Sequence, residues 1–266
     1  MRMGTESGLP GRRNKEKMNL PDYELADMHI HIMPEVDDGS ESMEMTMEML
    51  RIARENQIGT MILTPHHKGG HRNVSPDGQL RRIAGMQDAM EASGDWDDAW
   101  IELYPGNEIM YDSSVPEELE EGRIRTMADS SYVLVEFKPW EEFSYIQEGL
   151  RNLSYEGYRV ILAHCERYDC IRKDASLAGE LVRNRIYLQV NADDVLPHFR
   201  SPFAKFVNGL LKDELVSFVG TDAHKDRERS PQMLKCWQYL DRKYDPDYVR
   251  EITRENTLRI IADEEV

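Results

Sequence analysis

Two histidines near the start of the chain are spaced so that they could bind one metal ion. The segment 27–39 has the sequence DMHIHIMPEVDDG, with His29 and His31 two residues apart. If it begins with a β-strand, the alternation of side chains places both imidazoles on one face, with Cα atoms about 7 Å apart. Buried imidazole nitrogens need a partner, and a metal ion is one such partner. The alternative is an exposed strand with two solvated histidines.

Other histidines and carboxylates follow further predicted strands, at the carboxyl end of each strand. These residues are His66 and His67, Glu108, Glu136, His164, and Asp222 with His224. In a parallel α/β barrel, the carboxyl ends of the strands converge on one face, where active sites are built. Chance and helix capping explain one or two such residues. Their presence after six strands, counting the strand of the first two histidines, predicts a single site.

This set of side chains favours divalent metal ions. Imidazole suits zinc, manganese and iron, while carboxylates can bridge two ions. Four or more histidines with four carboxylates exceed what one ion needs, and they predict two or three ions. Clustered cations would lower the pKa of a bridging water to give hydroxide, and would hold the oxygens of a tetrahedral phosphorus centre. The sequence therefore predicts hydrolysis of a phosphate ester.

The elements that position these residues alternate as in a parallel α/β fold. Short apolar runs predict strands at 27–32, 60–63, 101–105, 132–137, 158–163, 186–190 and 216–220. Amphipathic segments predict helices at 42–56, 77–92, 144–155, 175–183, 199–211, 232–243 and 247–262. Because no Gly-rich phosphate turn is present, a closed barrel is favoured over an open doubly wound sheet.

Composition excludes several classes of protein. The net charge of −17 argues against nucleic acid or an anionic membrane as the main partner. Three cysteines without paired CxxC units predict neither a disulfide framework nor a zinc ribbon, which fits a cytoplasmic location. No run of 18 apolar residues occurs, so membrane insertion is not expected. The oligomeric state is left open.

The chain is expected to hold one catalytic domain, at 25–266, after an extension at 1–24. The first 20 residues carry five basic and two acidic side chains and lack the apolar middle region of a signal peptide. We therefore expect a disordered extension or a cloning remnant there.

The motifs, taken in order, carry a resemblance to a known family. HIH, VDDG, TPHH, PGNE, VEF, AHCER and DAH resemble the motif set of the polymerase and histidinol phosphatase (PHP) superfamily. VDDG, TPHH, LEEGRI and AHCER are similar in particular to the metal-dependent bacterial protein-tyrosine phosphatases of capsule and exopolysaccharide loci. The resemblance covers residues 27–230. It implies a distorted seven-stranded TIM-like (β/α) barrel and a phosphotyrosine protein substrate, such as a bacterial tyrosine kinase.

The resemblance also implies the metal and its ligands. Manganese is expected, with iron, zinc or magnesium as alternatives. The ligands are His29, His31, Glu108 and Asp222 for one ion, Glu108, Glu136 and His164 for a second, and Asp38, His66 and His224 for a third. Arg167 and Arg229 match the arginines expected to bind the substrate phosphate. The chain has Glu35 and Cys165 where the family usually has Gly and Pro, which leaves substrate preference open.

Three alternative functions remain open. Cys165 and Arg172 resemble the loop of cysteine-dependent tyrosine phosphatases, but six residues rather than five separate them and none is the Gly that a phosphate nest needs. A PHP-type phosphatase of small molecules, such as histidinol phosphate, would carry nearly the same ligands. A non-catalytic regulatory partner of a polysaccharide-assembly kinase is the third alternative, and the full ligand set argues against it.

Overall fold

Strands and helices alternate along the chain in the computed structural model, which describes residues 19–71, 73–94, 96, 100–197 and 203–266. The strands are β1 (Leu25–Ile30), β2 (Ile58–Leu63), β3 (His66–His67), β4 (Glu102–Pro105), β5 (Glu108–Met110), β6 (Tyr132–Glu136), β7 (Arg159–Leu162), β8 (Tyr187–Asn191) and β9 (Phe218–Gly220). The helices are α1 (Met43–Glu55), α2 (Pro76–Ser93), α3 (Val115–Glu120), α4 (Phe143–Tyr155), α5 (Asp169–Lys173), α6 (Ser176–Arg183), α7 (Ala192–Val195), α8 (Ala204–Lys212), α9 (Leu234–Asp241), α10 (Pro246–Arg250) and α11 (Asn256–Ile261).

Among the described residues, all of the strand pairings are parallel, and they form two sheets. One sheet has the order β1-β2-β4, and the other has the order β3-β5-β6-β7-β8-β9. A bridge between Ile30 and Ala223 joins β1 to the segment that follows β9. The predicted parallel α/β fold is therefore confirmed, although the pairings form two sheets rather than one uninterrupted seven-stranded ring.

The predicted strands all overlap observed ones, and the structure adds β3 and β5. Only Thr64 and Pro65 separate β2 from β3, and only Gly106 and Asn107 separate β4 from β5. Pro65 has no amide hydrogen to donate to a ladder. Its carbonyl oxygen instead accepts from the side chain of Asn107, at 2.8 Å, and from the amide of Glu108, at 3.3 Å. These interruptions lie directly before His66 and Glu108, two of the predicted ligands.

The strands and the inner faces of the helices form the core. β6 is buried along its whole length, as expected for a parallel strand covered on both faces. Helix α1 begins at the cap residue Ser42, whose hydroxyl accepts from the amide of Met45 at 3.3 Å. Its buried face includes Met47, Leu50 and Ala53, which pack inward against the core.

Two predicted elements differ from the structure. The predicted final helix at 247–262 is divided into α10, a π-helical segment at Glu251–Glu255 and α11. In that segment the hydroxyl of Thr253 donates to the carbonyl of Val249 at 2.6 Å, a local bond that competes with regular helix pairing. The helix predicted at 199–211 is seen from Ala204, and its first residues lie outside the described part of the chain.

The predicted extension is described only from Asn19 onward, and β1 begins at Leu25. The rest of that prediction lies outside the described residues. Across the described ranges, none of the helices has the length and apolar character to cross a membrane.

Candidate metal centre

Glu108 lies at the centre of the predicted ligands. Its carboxylate is within 3.3 Å of ring nitrogens of four histidines, and it is almost completely buried. These histidines are His29 at 3.3 Å, His31 at 3.3 Å, His66 at 2.9 Å and His164 at 2.8 Å. The strand β5 that begins at Glu108 was not predicted, and it pairs with β3 and β6 so that side chains from three neighbouring strands meet here.

Three further carboxylates surround this centre. Asp222 Oδ1 lies 3.6 Å from Nε2 of both His29 and His31. Glu136 Oε1 lies 3.1 Å from Nδ1 of His66. Asp38 Oδ1 lies 3.3 Å from Nε2 of His66 and 3.6 Å from Nε2 of His224. The nine predicted ligands therefore form one connected cluster of side chains at the carboxyl ends of the strands.

The cluster contains three groups of side chains. Within each group, the candidate ligand atoms lie within 4.8 Å of one another. The groups are His29, His31 and Asp222; His66, Glu108 and Glu136; and His31, Asp38, His66 and His224. The first and third resemble two of the predicted ligand sets. In the second, His66 takes the place that the prediction gives to His164, although His164 Nε2 lies 2.8 Å from Glu108 Oε1. The exact division of ligands among ions stays a prediction.

The electrostatics of the site favour bound cations. Burial lowers the pKa of His66, but the neighbouring carboxylates of Asp38, Glu108 and Glu136 raise it to about 12. Burial likewise opposes protonation of His31, and its bonds to Asp37 and Glu108 raise its pKa to about 9. These shifts show that the carboxylates create a negative field, in which positive charge is stabilised.

Three buried atoms in the cluster have no hydrogen-bond partner among the described residues: Oε1 of Glu136, Nδ1 of His66 and Nδ1 of His164. Oε1 of Glu136 and Nδ1 of His66 lie 3.1 Å apart, yet neither makes a hydrogen bond of acceptable geometry with a described residue. Buried polar atoms are rarely left in this state. A divalent ion would bind the first two atoms, and imidazole with carboxylate is a donor set that manganese, iron and zinc accept. The residues present therefore fit the predicted metal.

Neighbouring groups orient three of the histidines so that Nε2 faces the cluster. The carbonyl oxygen of Asp222 lies 2.9 Å from Nδ1 of His224, and because a carbonyl only accepts, Nδ1 carries the hydrogen. Asp37 Oδ2 accepts in the same way from Nδ1 of His31 at 2.8 Å. Gln189 Oε1 lies 3.0 Å from Nδ1 of His29. Such bonds fix the tautomer and leave Nε2 unprotonated for a metal.

Sequence reasoning missed the roles of Asp37 and Gln189. Asp37 directly precedes the predicted ligand Asp38 in the VDDG motif. It accepts from the amides of Gly39, at 2.9 Å, and His66, at 3.0 Å, as well as from His31. The signal for Gln189 is its position in the apolar strand β8, where a fully buried amide needs partners.

Two glycines pack so closely against His31 and His29 that a side chain would not fit. A Cβ on Gly39 would lie 2.1 Å from the carbonyl oxygen of His31. A Cβ on Gly220 would lie 2.8 Å from the Cβ of His29. Because real contacts are longer than this, a larger residue at either position would displace a predicted ligand.

Three predicted functional residues have left-handed backbone conformations. The φ angle is 32° for His164, 51° for Asp222 and 52° for Arg229. Residues other than Gly adopt this region at a cost, and such residues concentrate at functional sites. The amide of Asp222 donates to the carbonyl of His29 at 2.8 Å, which holds this turn against β1.

Both predicted phosphate-binding arginines reach Asp222. Nη2 of Arg167 lies 3.2 Å from Asp222 Oδ2, and Nη2 of Arg229 lies 2.8 Å from Asp222 Oδ1. Their side chains are 34% and 45% exposed, so each has a face open to solvent beside the cluster. The structure thus brings both arginines to the edge of the candidate metal centre.

Among the described residues, His67 and Cys165 lie outside the three groups of candidate ligands. His67 Nε2 pairs with Glu118 Oε2 at 2.7 Å. His198 lies outside the described residues. Cys165 is fully buried, and burial raises the pKa of its thiol well above the usual value.

Comparisons with known proteins agree over nearly the whole chain. A family model for capsular polysaccharide synthesis, CpsB/CapC, matches residues 25–262. The tyrosine-protein phosphatase CpsB of Streptococcus pneumoniae is 29% identical over 246 residues, which cover 90% of this chain and 99% of CpsB. The tyrosine-protein phosphatase YwqE of Bacillus subtilis (strain 168) is 28% identical over 221 residues, covering 83% of this chain and 85% of YwqE.

A solved structure extends the likeness to three dimensions. It comes from crystallographic work on YwqE of Bacillus subtilis and CpsB of Streptococcus pneumoniae, described as unique metal-dependent tyrosine phosphatases. It matches with a TM-score of 0.84 and 26% identity over 91% of this chain and 96% of that chain. A mutant organophosphorus hydrolase of Deinococcus radiodurans has a TM-score of 0.54 and 12% identity, a likeness of fold alone.

Proposed function

The chain belongs to the CpsB/CapC family of capsular polysaccharide synthesis, and from this membership we infer that it is a metal-dependent phosphatase acting on phosphotyrosine in proteins. The observation that carries the inference is the clustering of nine histidine and carboxylate side chains, with Glu108 in contact with four of the histidines and two arginines at the edge. The relatives named above are tyrosine-protein phosphatases, and the similar solved structure is of a metal-dependent one.

The proposed metal ligands are the predicted nine: His29, His31, Asp38, His66, Glu108, Glu136, His164, Asp222 and His224. We propose two or three divalent ions, with manganese expected. Bound ions would lower the pKa of a water molecule to supply the nucleophile and would offset negative charge on the phosphate. Glu108, buried among four histidines, would keep these ligands together, and Asp37 and Gln189 would keep two of the histidines in the required tautomer.

Arg167 and Arg229 are proposed to bind the oxygens of the substrate phosphate. A guanidinium offers a planar fork of N–H donors that matches phosphate oxygens. Both guanidinium groups already lie within 3.2 Å of a carboxylate at the cluster, so they are positioned for an anion there. With the phosphate held, the water oxygen would attack phosphorus while the bond from phosphorus to the tyrosine oxygen breaks. A proton from the water would pass to the tyrosine oxygen, giving inorganic phosphate and tyrosine.

The burial of Cys165 argues against the thiolate alternative. A nucleophilic cysteine needs exposure and a lowered pKa, whereas this thiol is inaccessible and its pKa is raised by burial. The metal-dependent reaction does not require an exposed thiol, because its proposed ligands lie at the carboxyl ends of the strands.

The finer parts of the proposal concern architecture and setting. We propose that residues 25–266 form one catalytic domain built on a distorted seven-stranded TIM-like barrel, in which β2 with β3 and β4 with β5 are interrupted single strands. The bridge from Ile30 to Ala223 supports this closure. A cytoplasmic location and a bacterial tyrosine kinase of polysaccharide assembly as the phosphorylated substrate belong to the same proposal.

A hydrolysis panel tests the proposed function. Protein reconstituted with manganese is assayed with phosphotyrosine peptides, phosphoserine peptides of the same sequence, and histidinol phosphate. We expect preferential release of phosphate from phosphotyrosine. Preference for histidinol phosphate would identify a small-molecule phosphatase instead, and no hydrolysis with any metal would favour a non-catalytic regulatory role.

A further inference from the structure

A cavity of about 420 Å³ opens on the segments that follow β3, β5 and β6. Its wall includes Lys68, Tyr111, Phe137, Lys138 and Tyr145. Neither the predicted metal sites nor the two arginines use any of these residues. The cavity therefore needs its own explanation.

Residues that line the cavity lie close in the chain to three of the proposed metal ligands. Three of its lining residues each follow a proposed ligand by two positions in the chain. The pairs are His66 and Lys68, Glu108 and Met110, and Glu136 and Lys138. Because two residues of extended chain span about 7 Å, the wall begins within that distance of the ligand backbones. A substrate whose phosphate lies at the cluster could therefore place its next atoms here.

Three aromatic rings form the apolar part of the wall. The ring centroids of Tyr111 and Phe137 are 5.2 Å apart, and Tyr145 lies 6.0 Å from each. The contact between Phe137 and Tyr145 is edge to face, at 86°. Tyr145 remains 40% exposed, so it can still contact a ligand. An additional ring packs well against such an arrangement, because aromatic pairs prefer tilted or offset contacts at these distances.

The aromatic wall is connected to the metal ligands by packing. Phe137 directly follows Glu136, and its ring lies 6.4 Å from that of Tyr168. Tyr168 in turn lies 6.1 Å from the imidazole of His164. The hydroxyl of Tyr168 also accepts from the amide of Phe137 at 3.1 Å. The wall is therefore fixed relative to two proposed ligands.

Two lysines, Lys68 and Lys138, line the cavity together with two acidic residues. Within the described parts of the chain, neither Lys68 nor Lys138 has an acidic partner within 4.0 Å, in a protein of net charge −17. The two acidic lining residues are Asp112 and Glu141. Asp112 accepts from the amide and the hydroxyl of Ser114, at 2.7 and 2.6 Å. Ammonium groups beside aromatic rings suit an anionic aryl ligand.

We propose that this cavity is an aryl subsite, which receives the ring of the substrate phosphotyrosine while its phosphate lies at the metal centre. The proposal rests on the proposed function and deepens it, because it says how phosphotyrosine is distinguished from alkyl phosphates. A phosphoserine has no ring and would leave the aromatic wall without a partner. Selection would then come from the contacts of Tyr145 and its neighbours rather than from the metals.

Binding of two small phosphonates tests the subsite without relying on turnover. The manganese-loaded protein is titrated calorimetrically with phenylphosphonate and with methylphosphonate, which share the anionic group and differ in the ring. We expect the wild type to bind phenylphosphonate more tightly. Tyr145→Ala should weaken phenylphosphonate binding about 2- to 10-fold and leave methylphosphonate unchanged, because only the aromatic contact is lost.

Matched variants separate the subsite from general effects. Tyr155 lies on the same helix α4 as Tyr145, is 74% exposed and lies outside the cavity, so Tyr155→Ala should change neither affinity. Lys138→Ala should weaken phenylphosphonate binding, whereas Lys212→Ala, on α8, should not. Equal affinity of the wild type for the two phosphonates, or unchanged binding in both Tyr145→Ala and Lys138→Ala, would overturn the subsite.

The two proposals fail in different ways. If the ring preference is present and depends on Tyr145, but phosphotyrosine peptides are not hydrolysed, the subsite stands and the proposed function is wrong. If phosphotyrosine is hydrolysed and the ring preference is absent, the function stands and the subsite is wrong.

Discussion

The side-chain oxygen of Gln189 lies 3.0 Å from Nδ1 of His29. The same oxygen accepts from the backbone amide of His164 at 2.7 Å, so it is the oxygen and not the nitrogen that faces His29. The Gln189 nitrogen donates to Asn191 Oδ1 at 3.0 Å, and Asn191 donates to Asp222 Oδ2 at 2.9 Å. One buried chain of amides thus orients three proposed metal ligands.

Replacing Gln189 by Leu should weaken metal binding. Without the acceptor, His29 is no longer held with its hydrogen on Nδ1, and loss of such a partner typically costs about 10- to 100-fold in metal affinity or activity. Competition with a fluorescent chelator measures the affinity. Gln147→Leu is the control, because Gln147 bonds to Glu180 away from the cluster. Equal metal affinity in both variants would show that Gln189 does not position His29.

Removing a proposed ligand should remove metal and activity together. We expect His29→Ala or Asp222→Ala to lose at least one ion and nearly all turnover, because ions that share ligands also share the work of activating water and stabilising charge. Elemental analysis measures the metal, and circular dichroism checks that the fold persists. His67→Gln should keep its metal, since His67 pairs with Glu118. A wild type without metal, or full turnover in the ligand variants, would contradict the assignment.

The arginines test whether the phosphate is bound as proposed. Arg167→Lys and Arg229→Lys should each lower kcat/KM about 10- to 100-fold, because one charge-assisted hydrogen bond contributes about 1.5–3 kcal/mol. Metal content should not change. Arg151→Lys, at an exposed contact with Tyr155, is the control. If the Lys variants lose metal instead, the arginines act by holding Asp222 in position. Unaltered kinetics with full metal content would show that both arginines form only surface ion pairs.

Gly39 should tolerate no side chain. A Cβ there would lie 2.1 Å from the carbonyl oxygen of His31, so Gly39→Ala must displace backbone beside a proposed ligand. We expect a loss of about 1–3 kcal/mol of unfolding free energy, which overpacking typically costs. Gly209→Ala should instead raise the melting temperature slightly, because Gly209 lies in α8 with open space around it and Ala favours helix. Thermal unfolding distinguishes the two signs, and a stable, metal-replete Gly39→Ala protein would contradict the packing argument.

The sequence predicts the location of the candidate site better than the contacts between the residues within it. Most of the ligands could be placed because they follow apolar runs, and the ends of parallel strands converge. Asp38 is expected only from the family resemblance, which includes the VDDG motif. The short strand β5 could not be predicted, because its three residues carry no periodic signal and it forms only by pairing with β3 and β6. The contact between Gln189 and His29 spans 160 positions, so only the assembled sheet reveals it.

A substitution at Cys165 distinguishes a metal-dependent phosphatase from a cysteine-dependent one. It follows the proposed ligand His164 directly, yet it is fully buried and the pKa of its thiol is raised by burial. If a metal-activated water attacks phosphorus, Cys165→Ser should keep most activity, and a chelator should abolish turnover reversibly. Some loss is expected, since a buried hydroxyl needs a hydrogen-bond partner that the thiol did not.

If Cys165 were the nucleophile, the effects of the Cys165→Ser substitution and of the chelator would be reversed. Serine is a much weaker nucleophile at its ordinary pKa, so Cys165→Ser would be inactive, and chelators would leave the wild type unaffected. The comparison is made in one assay with Cys165→Ser, His164→Ala and chelated wild type, together with metal content. Cys236→Ser, at a second buried cysteine outside the cluster, controls for the cost of burying a hydroxyl. An inactive Cys165→Ser protein with normal metal, beside a chelator-resistant wild type, would overturn the metal-dependent mechanism.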